Sequence, residues 1–387
     1  MGTSPAAVPK AGAAPQHRWG QPSPTITLPE PFEMRHGGLL PRVHIAYETW
    51  GTLNPEGSNA LLLFTGLSPR AHARSSAADP SPGWWEAMIG PGQPIDTDRW
   101  FVVCVNHLGS CFGSTGPASP REAEVAHLPG RPPRWGLDFP VLTIEDIARA
   151  AHGALEALSI ERLGAVVGPS MGGMVALAYA LQYPDEVDDL VLISSAAHAS
   201  PFAIAVHSLQ RESIRSDPDW AGGHYDPAHP PQQGMQLARK LGMITYRSAQ
   251  EWDTRFGRER TGQCPDQPFG PEFEVESYLD HHAGKFVGAF DPNCYLYLSR
   301  AMDLFDASEH GGDLDQAMAR LQIKRALVVG VHTDILFPLS QQEALADAMR
   351  RQGHDVQCVA LNSIQGHDAF LVDMDRFRPV IHGFLNP

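Results

Sequence analysis

The chain has 387 residues, of which 43% are hydrophobic and 19% charged, so it can bury a large core in one large domain or two. Its 44 acidic residues against 29 basic ones give a net charge of −15, which argues against a partnership with nucleic acid or with an anionic membrane surface. The five cysteines are widely spaced, odd in number and without a C-x-x-C pair, which favours reduced thiols in the cytoplasm over a disulfide framework or a zinc site. No apolar stretch approaches the length of a membrane-spanning helix, and no metal-ligand spacing stands out.

The N-terminal residues are rich in Ala, Pro and Gly and lack the apolar core of a signal peptide, so we predict a disordered leader over residues 1–28. Continuous apolar runs at 59–64 and 100–105 predict buried strands. Thr143 opens a predicted amphipathic helix with Asp146 as its capping-box partner. The alternation of strands and helices predicts an α/β protein with a mostly parallel sheet covered on both faces.

A serine stands between a predicted strand and a predicted helix. The apolar run 163–168 leads into the sequence Gly-Pro-Ser-Met-Gly-Gly at 168–173, and a helix-like apolar segment follows. Small residues on both sides of Ser170 allow a nucleophile elbow, a sharp turn that exposes the hydroxyl at a helix N-terminus, where backbone N–H groups stabilise an oxyanion. The alternative interpretation is a Gly-rich turn with a bystander serine.

The pattern changes after the next predicted strand, at 189–193. Residues 200–321 contain helical segments and polar loops with no comparable strand, which we interpret as a helical lid inserted into a core formed by 29–199 and 322–387. Arg239 lies in an otherwise apolar helical stretch of this lid. Its guanidinium is either a bidentate partner for a carboxylate or an ordinary solvated side chain.

The α/β-hydrolase order of nucleophile, acid and base is serine, aspartate, histidine, and the chain supplies both remaining groups. Asp334 follows the predicted strand 325–331, at the strand end where functional groups of parallel sheets gather. His367 follows the predicted strand 356–361 and a glycine. Its place in this order makes His367 the candidate base, although a lone histidine in a chain with eighteen is more often a surface residue.

The chain resembles the homoserine O-acyltransferase family of α/β-hydrolase-fold enzymes, which use an acyl-CoA to acylate an amino-acid hydroxyl. The resemblance covers residues from about 29 to 385. The matching stretches are 46–54, 83–85, 89–96, 111–117, 168–173, 237–239, 246–248, 255–258, 277–279, 295–305 and 366–368.

The resemblance implies a role for each matching residue. Ser170 is expected to be the acylated nucleophile, His367 the general base and Asp334 its orienting carboxylate. Arg239 is expected to hold the substrate carboxylate and Asp368 the amino group. The remaining implications are an oxyanion hole formed by the backbone N–H groups of Leu67 and Met171, a ping-pong mechanism, a homodimer, and acyl-CoA as a co-substrate with no bound cofactor.

One segment departs from the homoserine acetyltransferase pattern. Gly66, Leu67, Ser68 and Pro69 form a Gly-Leu-Ser-Pro sequence that resembles the subgroup of serine O-succinyltransferases. The segment follows the first core strand and would line the site, so we expect succinyl transfer from succinyl-CoA to L-serine, in cysteine biosynthesis. Acetylation or succinylation of L-homoserine, in methionine biosynthesis, is the alternative, since one methylene discriminates by only about 1–3 kcal/mol. The sequence does not identify which cation binds the succinyl carboxylate.

Two other classes of protein are compatible with parts of this sequence. An esterase could use the same triad, and a catalytically inactive scaffold is disfavoured because all three triad positions are filled. The Gly-rich stretch 109–116 lacks the Lys-Ser/Thr ending of a phosphate loop. The pair His281 and His282 is more typical of a polar surface than of a metal site.

Overall fold

A central eight-stranded sheet organises the computed structural model, which describes residues 23–121, 134–262 and 268–387. The strand order is β1-β2-β4-β3-β5-β6-β7-β8; the β1–β2 and β2–β4 pairs are antiparallel and the others parallel. The strands are β1 (Thr25–Thr27), β2 (His44–Trp50), β3 (Ala60–Phe64), β4 (Phe101–Val105), β5 (Leu163–Pro169), β6 (Val187–Ile193), β7 (Arg325–Val331) and β8 (Asp355–Leu361). Two-residue ribbons add Phe32–Glu33 with Leu39–Leu40, and Ile89–Gly90 with Ile95–Asp96.

The six strands predicted from apolar runs are confirmed, as is the mostly parallel sheet, whereas β1 and β2 were not predicted. β2 mixes polar and apolar side chains on a partly exposed strand, so it carries no continuous apolar run. The predicted leader is wrong for residues 25–28, because β1 pairs with β2 and Leu28 is buried. Residues 1–22 of the predicted leader lie outside the described residues.

Helices flank the sheet and fill the connection between β6 and β7. Among the described residues, helices α3 to α8 lie in that connection, where the sequence predicts a lid. The boundaries of the lid stay a prediction. None of the described helices is both long and apolar enough to cross a membrane. The helices are α1 (Ile144–Ala157), α2 (Met171–Gln182), α3 (Pro201–Ser216), α4 (Gln232–Tyr246), α5 (Ala249–Phe256), α6 (Glu274–Phe286), α7 (Pro292–Leu304), α8 (Leu314–Met318), α9 (Leu339–Arg351), α10 (Ala369–Val372) and α11 (Met374–Leu385).

Two apolar cores lie on opposite faces of the sheet, because successive side chains of a strand point to opposite sides. In β3, Leu62 joins the core that contains buried residues of α1, α2 and α9. Its neighbour Leu63 joins the other core, together with Phe377 and Phe384 of α11. The central strands are therefore buried on both faces, which explains their continuous apolar sequences.

The predicted start of α1 is confirmed. The Thr143 side chain accepts a hydrogen bond from the Asp146 backbone N–H at 3.1 Å, and the Asp146 carboxylate accepts one from the Thr143 backbone N–H at 3.1 Å. Asp146 is fully buried and also accepts from the backbone N–H of Arg35. The capping box thus stabilises the helix and attaches the N-terminal segment to it.

The described cysteines carry free thiols: Cys104, Cys111, Cys294 and Cys358. Cys264, the fifth, lies outside the described residues.

The turn between β5 and α2 depends on close backbone contacts at its glycines. A Cβ atom at Gly172 would lie 2.5 Å from the carbonyl oxygen of Thr65 and 2.9 Å from that of Phe64. At Gly168 a Cβ atom would lie 2.0 Å from the Gly172 carbonyl oxygen. Backbone atoms cannot rotate away as a side chain can, so these contacts require glycine.

We predict that Gly172→Ala lowers the free energy of unfolding by about 3 kcal/mol, since α2 must move away from the end of β3 to relieve the overlap. Urea titration followed by circular dichroism measures the change. The matched control is Gly284→Ala in α6, where an added Cβ meets no atom within 4 Å. The control should be neutral or stabilising by up to about 1 kcal/mol; equal stabilities of the two variants would contradict the steric argument.

Candidate active site

Ser170 occupies the single residue between β5 and α2. Its backbone has φ 55° and ψ −124°, a conformation that a non-glycine residue rarely adopts. Its backbone N–H donates to the carbonyl oxygen of Ile193 at 2.8 Å, which fixes the turn to the neighbouring strand β6. The structure therefore contains the sharp strand-to-helix turn that the sequence predicts.

Three loops at the carboxyl ends of parallel strands bring the predicted triad together. Ser170 Oγ lies 2.8 Å from Nε2 of His367, and Nδ1 of His367 lies 2.8 Å from Oδ2 of Asp334. Asp334 follows β7, and His367 lies in the 3₁₀ turn Gly366–Asp368 after β8. All three side chains are buried, so the chain of hydrogen bonds is shielded from water.

Backbone contacts fix the orientation of the Asp334 carboxylate. Its Oδ1 accepts hydrogen bonds from the backbone N–H groups of Leu336 and Phe337, both at 2.9 Å, which leaves Oδ2 for His367. Because a carboxylate only accepts, Nδ1 of His367 donates and Nε2 is left to accept the Ser170 hydroxyl proton. The histidine is thereby held in the tautomer of a general base.

The electrostatic surroundings of His367 act in opposite directions. Burial by itself lowers the pKa of His367, but the Asp334 carboxylate and the charge of Asp368 outweigh it, so the pKa of His367 lies above its ordinary value. The rings of Tyr246, Phe337 and Phe370 surround the imidazole at centroid distances of 5.8, 5.3 and 5.8 Å. The base is therefore a histidine that takes up a proton readily within an aromatic enclosure.

A second buried histidine supports the loop that faces Ser170. Nε2 of His107 hydrogen-bonds to the carbonyl oxygen of Thr65 at 2.9 Å, directly before Gly66. Burial lowers the pKa of His107 to about 4, against an opposing effect of the Thr65 and Gly66 backbone. His107 is therefore neutral at physiological pH and donates to Thr65 through Nε2. No sequence pattern singled it out.

A cavity of about 110 Å³ opens beside Ser170. Its volume suits a small organic group and a few waters rather than a polymer. The four residues of the predicted specificity segment lie on its wall, as do both predicted substrate-binding residues. The lining residues are Gly66, Leu67, Ser68, Pro69, Trp84, Ser170, His207, Arg239, Tyr246, Met302, Leu336, His367, Asp368, Phe370 and Leu371.

Of the two predicted oxyanion donors, one follows Ser170 in the chain and the other lines the same cavity. Met171 directly follows the serine as the first residue of α2, where backbone N–H groups have no partner within the helix. Leu67 lies on the cavity wall, and its N–H has no hydrogen-bond partner in the described part of the chain. The side chain of Met171 is fully buried beneath the turn, so this residue can offer the site only its backbone.

Arg239 and Asp368 place opposite charges at the cavity. The Arg239 guanidinium lies 4.7 Å from the ring centroid of Phe286 and forms no ion pair with a described residue. Asp368 is partly exposed, and its Oδ2 lies 3.2 Å from Nε of Arg247. One oxygen of Asp368 is thus held by a cation while the carboxylate still borders the cavity.

Arg247 is a site residue that sequence reasoning did not single out. Besides Asp368, its guanidinium contacts Oε1 of Glu251 at 3.2 Å and Oε1 of Gln365 at 3.1 Å. It therefore ties the start of α5 to the loop that carries His367. The stretch 246–248 matched the family pattern, which was the available signal, but the pairing of an arginine with a distant aspartate has no signature in the sequence.

A larger cavity of about 370 Å³ adjoins the first and shares Arg239 and Asp368 with it. Cationic groups dominate its charged lining. Burial and then the neighbouring cations lower the pKa of His282, which is the effect expected of a positive potential. The lining residues are Arg239, Met243, Arg247, Trp252, Tyr278, His282, Lys285, Phe286, Ala289 and Asp368.

Within the described ranges no group of three or more His, Cys, Asp or Glu side chains is arranged to hold a metal ion. The His281 and His282 rings meet edge to face with their centroids 5.2 Å apart, and His282 lines the larger cavity. Both are surface side chains, His281 exposed and His282 partly exposed, and the His282 ring packs 4.3 Å from the Tyr278 ring.

Comparison with known proteins places this geometry among characterised families. A family model described as the alpha/beta hydrolase fold matches residues 60–370. The chain is 58% identical over 363 residues to a serine O-succinyltransferase of Litchfieldella anticariensis, covering 93% of this chain and 97% of that protein. It is also 58% identical over 362 residues to a serine O-succinyltransferase of Stenotrophomonas maltophilia, covering 93% and 96%.

Solved structures share the fold over almost the full length. Homoserine O-acetyltransferase from Bacillus anthracis superposes with a TM-score of 0.86 at 28% identity, covering 95% of this chain and 99% of that one. Esterase E22 superposes with a TM-score of 0.83 at 28% identity, covering 94% and 100%. The elbow, the triad geometry and these similarities agree: the chain belongs to the α/β-hydrolase family, within the group that contains the serine O-succinyltransferases.

Proposed function

We propose that this protein transfers the succinyl group of succinyl-CoA to the hydroxyl of L-serine. The observation that carries the proposal is the Ser170–His367–Asp334 chain, which opens into a small cavity bordered by the opposite charges of Arg239 and Asp368. Relatives that cover nearly the whole chain at 58% identity are serine O-succinyltransferases, which supports the same conclusion.

The first half-reaction forms an acyl-enzyme. His367 accepts the hydroxyl proton of Ser170 through Nε2 while Oγ attacks the thioester carbon. The carbon–sulfur bond then breaks, and His367 returns the proton to the departing CoA thiolate. Negative charge on the carbonyl oxygen is stabilised by the backbone N–H groups of Leu67 and Met171.

The second half-reaction uses the same groups on the acceptor. His367 removes the proton of the serine substrate's hydroxyl, whose oxygen attacks the acyl-enzyme carbonyl. The bond to Ser170 Oγ breaks, and His367 gives the proton back to Oγ. The product is an O-succinyl ester, and the enzyme returns to its starting state.

The charges beside the triad match a free amino acid. Arg239 offers a guanidinium without a carboxylate partner among the described residues, which suits the acceptor carboxylate. Asp368 offers a carboxylate at the same cavity for the acceptor ammonium. Two charged anchors hold the acceptor hydroxyl at the acyl-enzyme, which favours transfer over hydrolysis by water.

The larger cavity provides a route for the donor. Its cationic lining, which includes Arg247 and Lys285, contrasts with the net charge of −15 of the chain. A phosphate-bearing donor such as an acyl-CoA fits a positive approach to the nucleophile better than an uncharged ester does. Succinylation also converts the serine hydroxyl into a better leaving group, which suits a product consumed by replacement with a thiol in cysteine biosynthesis.

Two alternatives are supported by particular similarities. The fold match to homoserine O-acetyltransferase from Bacillus anthracis supports homoserine as the acceptor, and the match to esterase E22 supports hydrolysis. Both matches are at 28% identity, against 58% for the serine O-succinyltransferases. Of these proteins, the two at 58% identity have names that specify both the acceptor, serine, and the transferred group, succinyl.

Donor and acceptor specificity test the proposal directly. We expect kcat/KM for succinyl-CoA with L-serine to exceed that for each of the other combinations of succinyl-CoA or acetyl-CoA with L-serine or L-homoserine by about 10-fold or more. Release of CoA and mass detection of the ester measure the rates. Ser170→Ala should lower every rate by about 10³-fold or more. Preference for L-homoserine, or hydrolysis as fast as transfer at saturating acceptor, would contradict the proposal.

The pH dependence tests the role of Asp334. The base must be neutral to accept a proton, so kcat/KM rises with pH through the pKa of His367. Asp334→Asn removes the main charge that raises this pKa and should shift the acidic limb to lower pH. It should also lower the plateau by about 10³–10⁴-fold, as loss of the correct tautomer does in other triads. An acidic limb that stays in place would exclude Asp334 as the group that raises the pKa.

A homodimer forms part of the proposal. Four apolar side chains on α3 and α4, namely Phe202, Leu209, Leu237 and Ile244, are between 47% and 56% exposed. Burial of these side chains against a second copy is favourable. We expect a dimer in light scattering coupled to size-exclusion chromatography and a monomer after combined Leu209→Lys and Leu237→Lys substitution. Val372→Lys, at an equally exposed apolar position on α10, is the control that should remain dimeric.

A further inference from the structure

We propose that His207 binds the terminal carboxylate of the succinyl group and so selects succinyl-CoA over uncharged acyl donors. The inference rests on the proposed function, because it concerns the donor of that reaction. It assigns the cation that the sequence left unidentified, and it places that cation on the helical segment rather than on a triad loop.

His207 has the position that this role requires. It lies in the second turn of α3, is only 3% exposed, and yet contributes to the wall of the cavity beside Ser170. Nε2 has no hydrogen-bond partner among the described residues, while Nδ1 lies 2.7 Å from Oδ1 of Asp303. A ring nitrogen that has no protein partner and borders a cavity is available to bind a ligand there.

Asp303 links His207 to a second cation. Its carboxylate is almost fully buried, and Oδ2 lies 2.6 Å from Nη2 of Arg211. Arg211 also donates to the hydroxyl of Ser299 at 2.8 Å and faces the groove between α3 and α7, away from the triad cavity. Arg211 is therefore committed to Asp303 and is not the group that meets the donor.

The other ionisable side chains of the cavity already have roles in the proposed function. His367 is the base, and Arg239 with Asp368 matches the acceptor amino acid. The other side chains on the wall are uncharged; Met302 and Leu336 are apolar. Among the lining residues, His207 is the remaining group that can become cationic, so it is the one available for a second carboxylate on the acyl group.

The charge balance favours binding of one anion together with one proton. With His207 neutral, the charges of Asp303 and Arg211 cancel. Because Asp303 accepts from Nδ1, a neutral His207 presents only an acceptor at Nε2, and a carboxylate requires a donor there. Protonation of His207 supplies that donor, and the imidazolium is stabilised by Asp303 on one side and by the succinyl carboxylate on the other. Arg239, His367 and Asp368 also line the cavity that the imidazolium faces.

The test compares donors in His207→Asn and in the wild-type enzyme with L-serine as acceptor. We expect His207→Asn to lower kcat/KM for succinyl-CoA by about 10- to 100-fold, the scale of a charge-assisted hydrogen bond, and to affect acetyl-CoA far less. His207→Gln, whose longer side chain can place a neutral amide donor near the position of Nε2, should fall between wild type and His207→Asn. His152→Asn, at a histidine on α1 outside the cavity, is the matched control and should keep the wild-type donor ratio.

The outcomes separate this inference from the proposed function. A wild-type enzyme without preference for succinyl-CoA refutes the proposed function. A wild-type preference that survives in His207→Asn, or a variant that loses both donors equally, overturns the role of His207 alone. If the variants do not fold, the wild-type enzyme is assayed with the neutral amide analogue of succinyl-CoA. Equal use of acid and amide overturns the inference, whereas a loss of about 10-fold or more supports a cation at the cavity.

Discussion

The backbone turn at Ser170 is the constraint on which the site depends. The serine occupies a conformation that side chains rarely adopt, and Gly168 and Gly172 permit contacts that no Cβ atom could enter. The elements on either side, β5 and α2, are buried along almost their whole length, and their packing holds the backbone of Ser170 in this strained conformation. As a result, Oγ lies within hydrogen-bond distance of His367 at the N-terminus of α2.

Burial and hydrogen bonding together set the charge states within the Ser170–His367–Asp334 triad. The Asp334 carboxylate is satisfied by two backbone N–H groups and by His367, so its charge is held without a cation beside it. Burial lowers the pKa of His367, but Asp334 and Asp368 together outweigh this effect and raise it above its ordinary value. The net effect is opposite for His107, which has only backbone partners and stays neutral.

Chemistry and specificity come from different parts of the chain. Ser170, Asp334 and His367 follow strands of the sheet, whose carboxyl ends meet at one edge. Arg239, Arg247 and His207 come from helices between β6 and β7 or from the end of one of them. The sheet therefore positions the triad, and the helices supply the charges to which we assign recognition of the donor and the acceptor. This division agrees with a family in which transferases and esterases share a fold.

The sequence by itself determined the sheet's central strands, the elbow and the identity of the triad. Each corresponds to a local sequence pattern: continuous apolar runs, a serine between glycines, and polar residues at strand ends. The strands β1 and β2 escaped prediction because neither carries a continuous apolar run. Only the tertiary structure decided the partners of the charged groups: the pairing of Arg247 with Asp368, 121 residues apart, and of His207 with Asp303, 96 residues apart. Such contacts depend on how helices pack in space, and no spacing along the chain encodes them.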